Sequence, residues 1–108
     1  MDAWEYTDIK ATRAAAGEPY HEFLRVPDLS AGIYVLDAGA TDLQSPHSED
    51  ELYYVVAGRG LITVGAETRP VGPGSLVFVA ATVPHRFHDI AERLELLVVF
   101  GPAEGDRA

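Results

Sequence analysis

The sequence predicts an all-β fold, a sandwich or barrel of short strands with one short helix ahead of it. Three observations lead there. From Tyr20 onward, short runs rich in Val, Ile, Leu, Tyr and Phe recur. Gly and Pro punctuate them, at Gly58-Arg59-Gly60, Gly65-Ala66 and Gly72-Pro73-Gly74. Helical periodicity is absent after residue 17. Many short strands with regular turn signals imply a closed or two-layered β architecture.

The elements follow in order. Residues 1–19 hold one short helix, which Thr7 or Asp8 caps, Ala14-Ala15-Ala16 propagates, and Gly17 followed by Pro19 stops. So short a helix is unstable alone and must dock, with Trp4 and Ile9 as the docking side chains. Strands are expected at Glu22–Val26, Gly32–Asp37, Leu52–Ala57, Leu61–Val64, Thr68–Val71, Leu76–Val79, His85–Asp89 and Glu95–Phe100. In the run Leu52–Ala57 neither alternate set of side chains is polar, which calls for cover on both faces. One face fills the barrel, and the other meets a second sheet, a helix lid or a second subunit, a homodimer being preferred. The barrel therefore occupies residues 20–101, and residues 102–108 read as a frayed, flexible tail.

Length and composition limit the function. The 108 residues suit one domain, and 47% hydrophobic with 23% charged residues is ordinary globular composition. Seventeen acidic against eight basic residues leave a formal charge of -9, which repels phosphate backbones and anionic lipid, so neither nucleic acid nor a membrane surface is expected as a partner. There is no cysteine, which excludes disulfides, thiolate-bound metal and thiol nucleophiles. The opening Met1-Asp2-Ala3-Trp4-Glu5-Tyr6 lacks the basic start and apolar run of a secretory leader. No apolar run approaches the ~20 residues that span a bilayer. The expectation is a soluble, cytoplasmic protein.

The polar residues that stand out are His21, His47, His85 and His88, with the acidic run Glu49-Asp50-Glu51. Singly, each has a bland reading as a surface or hydrogen-bonded residue. Spacing changes this for three of them. His47 and Glu51 flank a loop-to-strand boundary, and His85 opens another strand after Val83-Pro84. Two imidazoles and a carboxylate suit a divalent first-row metal with open coordination positions. Burying such a set without a cation is costly.

Two stretches carry a family resemblance. Gly39, Ser45-Pro46-His47, Glu51 and Gly58 fall on the cupin motif G-x5-H-x-H-x3-4-E-x6-G, and Gly74, Ala80-Ala81-Thr82, His85 and Asp89 fall on its partner, G-x5-P-x-G-x2-H-x3-N. The chain thus resembles the cupin superfamily over roughly residues 39–89, which implies a cupin-type jelly-roll β-barrel with a metal site near one mouth. The resemblance assigns His47, Glu51 and His85 as ligands of one divalent transition metal (Fe, Mn, Ni, Cu or Zn). Ser45 stands where the motif has its first histidine, Ala80 and Thr82 replace its Pro and Gly, and Asp89 replaces its Asn. Gln44 or Glu49 is then a candidate for the vacated position, Glu49 because two-residue spacing in an extended chain puts it on the side of His47. Strand alternation from an inward His85 directs Phe87 and Asp89 inward, Arg86 and His88 outward. Asp89 is expected to hold a ligand histidine or close the polar end of the barrel, and Tyr34 and Tyr54 to line a cavity or, as strand aromatics do more often, to pack in the core.

The family includes dioxygenases, isomerases, epimerases and decarboxylases, so the resemblance implies a small-molecule, metal-dependent enzyme, an oxidoreductase or a Lewis-acid catalyst. The alternative is a non-catalytic cupin that binds or senses a small metabolite with weakened or lost metal binding. A purely structural role is a distant third.

Overall fold

The computed structural model describes residues 1–44 and 46–105. Helix α1 (Tyr6–Ala16) is followed by strands β1 (Tyr20–Val26), β2 (Leu29–Leu36), β3 (Asp50–Val64), β4 (Glu67–Val71), β5 (Leu76–Val79) and β6 (His85–Gly101). All pairings are antiparallel, in the order β1-β2-β6-β3-β4, with β5 on β3. This is the all-β, cupin-type barrel that the sequence implies, although its hydrogen-bonded sheet does not close into a ring.

The barrel is built on two long strands where the sequence suggested four short ones. β3 and β6 pair from Asp50↔Gly101 to Val64↔His85, with register shifts between Val55 and Leu61. Gly58-Arg59-Gly60 is therefore not a turn but a bulged bend inside β3. Gly58 takes φ 94°, and a Cβ there would lie 2.1 Å from the Arg93 carbonyl oxygen, so only glycine fits the crossing. Beyond the bend the strands change partners: the first half of β3 pairs β5 and the second half β4, while the last half of β6 pairs β2. Gly65 and Gly74, both at positive φ, make the turns expected of them.

Inward residues from both long strands, among them Tyr53, Val55, Ile62, Phe87, Leu94, Leu96 and Phe100, form the core. The outward set of β3 lacks cover within the chain: Leu52 and Tyr54 stay exposed, as do Leu76 at 61% and Phe78 at 60% on β5. α1 docks on the outside of the β1-β2 hairpin. Ile9 packs against Ile33 and Val35, and Trp4 meets Phe23 edge-on at 5.2 Å. Its N-cap is Glu5, with no side-chain cap bond, rather than Thr7 or Asp8. Both lie within the helix because tertiary contacts hold its first turn: Tyr6 Oη donates to Glu95 Oε1 (2.9 Å). Gly17 ends the helix at φ 76°, as predicted.

Residues 102–105, read from sequence as the start of a free tail, are pinned to the barrel. Ala103 is fully buried and its amide donates to Pro27, while the Glu104 amide donates to Ser30 Oγ (2.9 Å). Residues 106–108 lie outside the described residues. Among the described residues no helix is long and apolar enough to cross a membrane.

Candidate metal centre

Three segments deliver the predicted donors. Glu51 is the second residue of β3 and shares the inward face with Tyr53 and Val55. His85 opens β6, inward like Phe87. His47 comes from the loop between β2 and β3 and rests edge-on against Phe100, ring centroids 4.9 Å apart. One ligand atom from each of His47, Glu51 and His85 lies within 4.8 Å of the others.

Hydrogen bonding orients both rings. His85 Nδ1 lies 3.0 Å from the Val83 carbonyl oxygen, which only accepts, so Nδ1 carries a proton. In the neutral ring the Nε2 lone pair then faces Glu51 Oε1 at 3.0 Å. His47 Nδ1 lies 3.4 Å from Glu104 Oε2, leaving its Nε2 toward the interior, 3.1 Å from Gln44 Oε1. Glu51 is only 2% exposed, and neither carboxylate oxygen accepts an aligned hydrogen bond. A buried carboxylate without an aligned hydrogen bond is expensive. A cation is the partner this arrangement fits: adjacent donors held ~2.1 Å from one ion lie ~3 Å apart.

The region of residues 32–100 matches the cupin domain model. The chain belongs to the cupin family. It is 52% identical over 104 residues to an uncharacterised protein of Streptomyces coelicolor, covering 96% of this chain and 99% of that one. Among solved structures, TT1209 from Thermus thermophilus superposes with a TM-score of 0.72 at 24% identity, over 95% of this chain and 99% of that chain. KdgF from a Halomonas species gives the same TM-score at 23% identity, over 82% of each. At such identity these structures speak for the fold.

Electrostatics in this cupin follow from burial. Burial works to lower the His85 pKa, but the contact with Glu51, the Val83 carbonyl and the charges of Glu51 and Asp42 together raise it above the ordinary histidine value. Burial pushes the Glu104 carboxyl up, with His47 opposing. Burial also drives the Tyr20, Tyr34 and Tyr53 phenols well above their usual range, so all three act as O–H donors. A cavity of about 140 Å³ opens beside His47, lined by Tyr20, Tyr34, Gln44, Phe100 and Glu104. Tyr20 Oη is buried there without a partner. A second, more open depression of about 330 Å³ reaches His85, Asp42 and Gln44 from the other side.

Other predicted residues meet mixed outcomes. Gln44 lies at the centre, between the two cavities. Ser45 lies outside the described residues. Glu49 is buried but stands apart from the donor group, accepting from Ser48 Oγ (2.6 Å), because bends at Ser48 and Glu49 break the extended alternation. Asp89 does not turn inward: its φ of 48° interrupts the strand pattern, and its side chain, 73% exposed, accepts from His88 Nδ1 (2.6 Å). His88 also meets Thr63 Oγ1 at 2.7 Å, outside the site as expected. Tyr34 lines the cavity, whereas Tyr54 faces solvent on the outer side of β3. His21 lies by α1, away from the donors.

Sequence reasoning missed Tyr53, Asp42 and Glu104. Tyr53 Oη lies 3.1 Å from both Gln44 Oε1 and His85 Nε2. Period-two alternation from Glu51 was a signal for it. Asp42 and Glu104 belong to no motif and carried none.

Proposed function

We propose that this cupin is a metal-dependent protein acting on a small molecule, an enzyme of dioxygenase, isomerase or related Lewis-acid type, with His47, Glu51 and His85 holding one divalent ion of Fe, Mn, Ni, Cu or Zn. The observation that carries this reading is the convergence of His47, Glu51 and His85, one donor atom of each within 4.8 Å of the others, about a buried carboxylate that accepts no aligned hydrogen bond. When bound, such an ion supplies a Lewis acid with open positions for an oxygen-bearing substrate.

The protein's own residues shape the reaction space. Phe100 and the Tyr20 and Tyr34 rings give the cavity beside His47 apolar walls that exclude water. Tyr20 Oη offers a free donor to a substrate oxygen, and Glu104 an acceptor. About 140 Å³ suits a compound near the size of benzene, since a cavity of ~150 Å³ accepts that molecule. The second reading, a cupin that binds a small metabolite without turning it over, is favoured by Ser45, Ala80 and Thr82, which stand where the family motifs have His, Pro and Gly.

Elemental analysis of untagged protein tests the metal. About one equivalent of a transition metal should co-purify and be lost in His47→Ala and His85→Ala; unchanged metal content in both variants rejects the ligand set. Oxygen consumption during an aerobic and anaerobic substrate screen then separates oxygenase from isomerase chemistry. Absence of turnover in every metal-loaded form favours the binding protein.

The same proposal includes a homodimer. The outward pairs Leu52↔Phe78 and Tyr54↔Leu76 give β3 and β5 an exposed apolar face, the face that the sequence required to be covered. Phe78→Glu combined with Leu76→Glu should halve the mass in solution, and a parent that is already monomeric rejects the dimer.

A further inference from the structure

We infer that Gln44 Oε1 is the fourth protein donor at this centre and that Asp42 is the residue that aims it. The inference rests on the metal reading above and concerns where the missing donor comes from.

Asp42 is buried, and its carboxylate is saturated. Oδ1 accepts from Tyr34 Oη (2.8 Å) and the Gln44 amide nitrogen (3.3 Å). Oδ2 accepts from Gln44 Nε2 (2.9 Å) and the Phe87 amide nitrogen (2.9 Å). A carboxylate offers about four acceptor sites, so Asp42 has none left for a metal. Its role is positioning.

That role settles the direction of the Gln44 amide. An ionised carboxylate has no proton to give, so only the NH2 end of Gln44 can face Asp42. Reversing the amide would set two oxygens against each other. Oε1 must therefore project the opposite way, into the donor group, where it lies 3.1 Å from His47 Nε2 and 3.1 Å from Tyr53 Oη.

The donors crowd one point. Gln44 Oε1 lies 3.1 Å from His47 Nε2, and His85 Nε2 lies 3.0 Å from Glu51 Oε1. The Tyr53 hydroxyl, within 3.1 Å of both Gln44 Oε1 and His85 Nε2, has one proton for the two of them. Two nitrogens and two oxygens thus turn toward one another at the spacing of adjacent ligands of one ion. Glu49, the other candidate for this position, is engaged by Ser48 and stands outside the group. The resulting set would be two nitrogens and two oxygens with a single negative charge, donors that suit a divalent first-row metal.

Copper(II) binding to the chelator-stripped protein tests this, read by calorimetry and by electron paramagnetic resonance. Gln44→Ala and Asp42→Asn should each weaken copper binding by ~10–100-fold. Gln44→His should raise the number of coupled imidazole nitrogens from two to three, a signature that a structural role would not produce. Gln44→Glu, which keeps the size and one oxygen donor but sets its second oxygen against Asp42 Oδ2 where the amide NH2 donates, should also bind more weakly than the parent and reads the Asp42 contact should Asp42→Asn fail to fold. Unchanged affinity in Gln44→Ala together with two coupled nitrogens in Gln44→His overturns the assignment of Gln44. Unchanged affinity in a folded Asp42→Asn overturns the positioning role. His85→Ala separates the two levels: if it binds copper as the parent does, the metal centre itself is wrong, whereas its loss of binding upholds the centre and leaves the Gln44 variants to decide the fourth donor.

Discussion

Replacing Glu51 by leucine should make the metal-free protein more stable and the metal-bound protein less so. Glu51 is 2% exposed, with no aligned hydrogen bond to either oxygen. Leaving a buried polar group unsatisfied costs about 1–3 kcal/mol, and an apolar side chain of similar volume removes that cost. The neighbours survive the change: neutral His85 keeps its bond to Val83 and can accept from Tyr53 Oη at Nε2. For a chain of this length each kcal/mol shifts Tm by about 4–8 °C, so Glu51→Leu should melt roughly 4–24 °C above the parent in chelator. With metal at about 1,000 times its Kd the parent gains about 4 kcal/mol, which the variant cannot, and the order reverses.

The gain should also depend on pH. Because the folded His85 pKa is raised, its pairing with Glu51 stabilises the parent fully below the ordinary histidine value and is lost as pH rises through the folded one. Glu51→Leu should therefore gain least in acid and most in alkali. Calorimetric melts of both proteins, with chelator and with each candidate metal, across pH, read every arm. A variant less stable than the parent in chelator at alkaline pH refutes the reasoning, as does a parent whose Tm no metal raises.

Three further outcomes follow from the fold. Gly58→Ala should cost on the order of 3–4 kcal/mol in urea unfolding, since its Cβ would meet the Arg93 carbonyl at 2.1 Å in a positive-φ bend; a cost below ~1 kcal/mol contradicts the bulge. Tyr6→Phe should lose about 0.5–1.5 kcal/mol and speed amide exchange across α1, because its hydroxyl ties the helix to Glu95. Burial tends to raise the Glu95 pKa, but Lys10 and Tyr6 hold it below the usual carboxylate value. The tether is thus present above the ordinary glutamate pKa and lost as pH falls through the lowered one. Acid should therefore reduce the protection of α1 amides in the parent more than in Glu95→Gln; an equal response in the two proteins argues against the tether.

Local information carried the parts of this molecule whose cause is local. The αL stop at Gly17, the turns at Gly65 and Gly74, and the inward sides of Glu51, His85 and Phe87 follow from dihedral preference and period-two alternation, which neighbouring residues impose. Gly58-Arg59-Gly60 could not be resolved the same way. A glycine at positive φ serves a turn or a bulge equally, and the close approach of Arg93 makes the choice. Asp89 departed from alternation for the same reason, a single backbone angle dictated by its surroundings. The centre's supporting residues depended on distant encounters: Glu104 reaches His47, and Asp42 gathers Tyr34, Gln44 and Phe87, through packing that no spacing rule encodes. Short-range sterics write strands and turns into the chain, but which carboxylate aims which donor emerges only once the barrel has brought remote segments within hydrogen-bond reach.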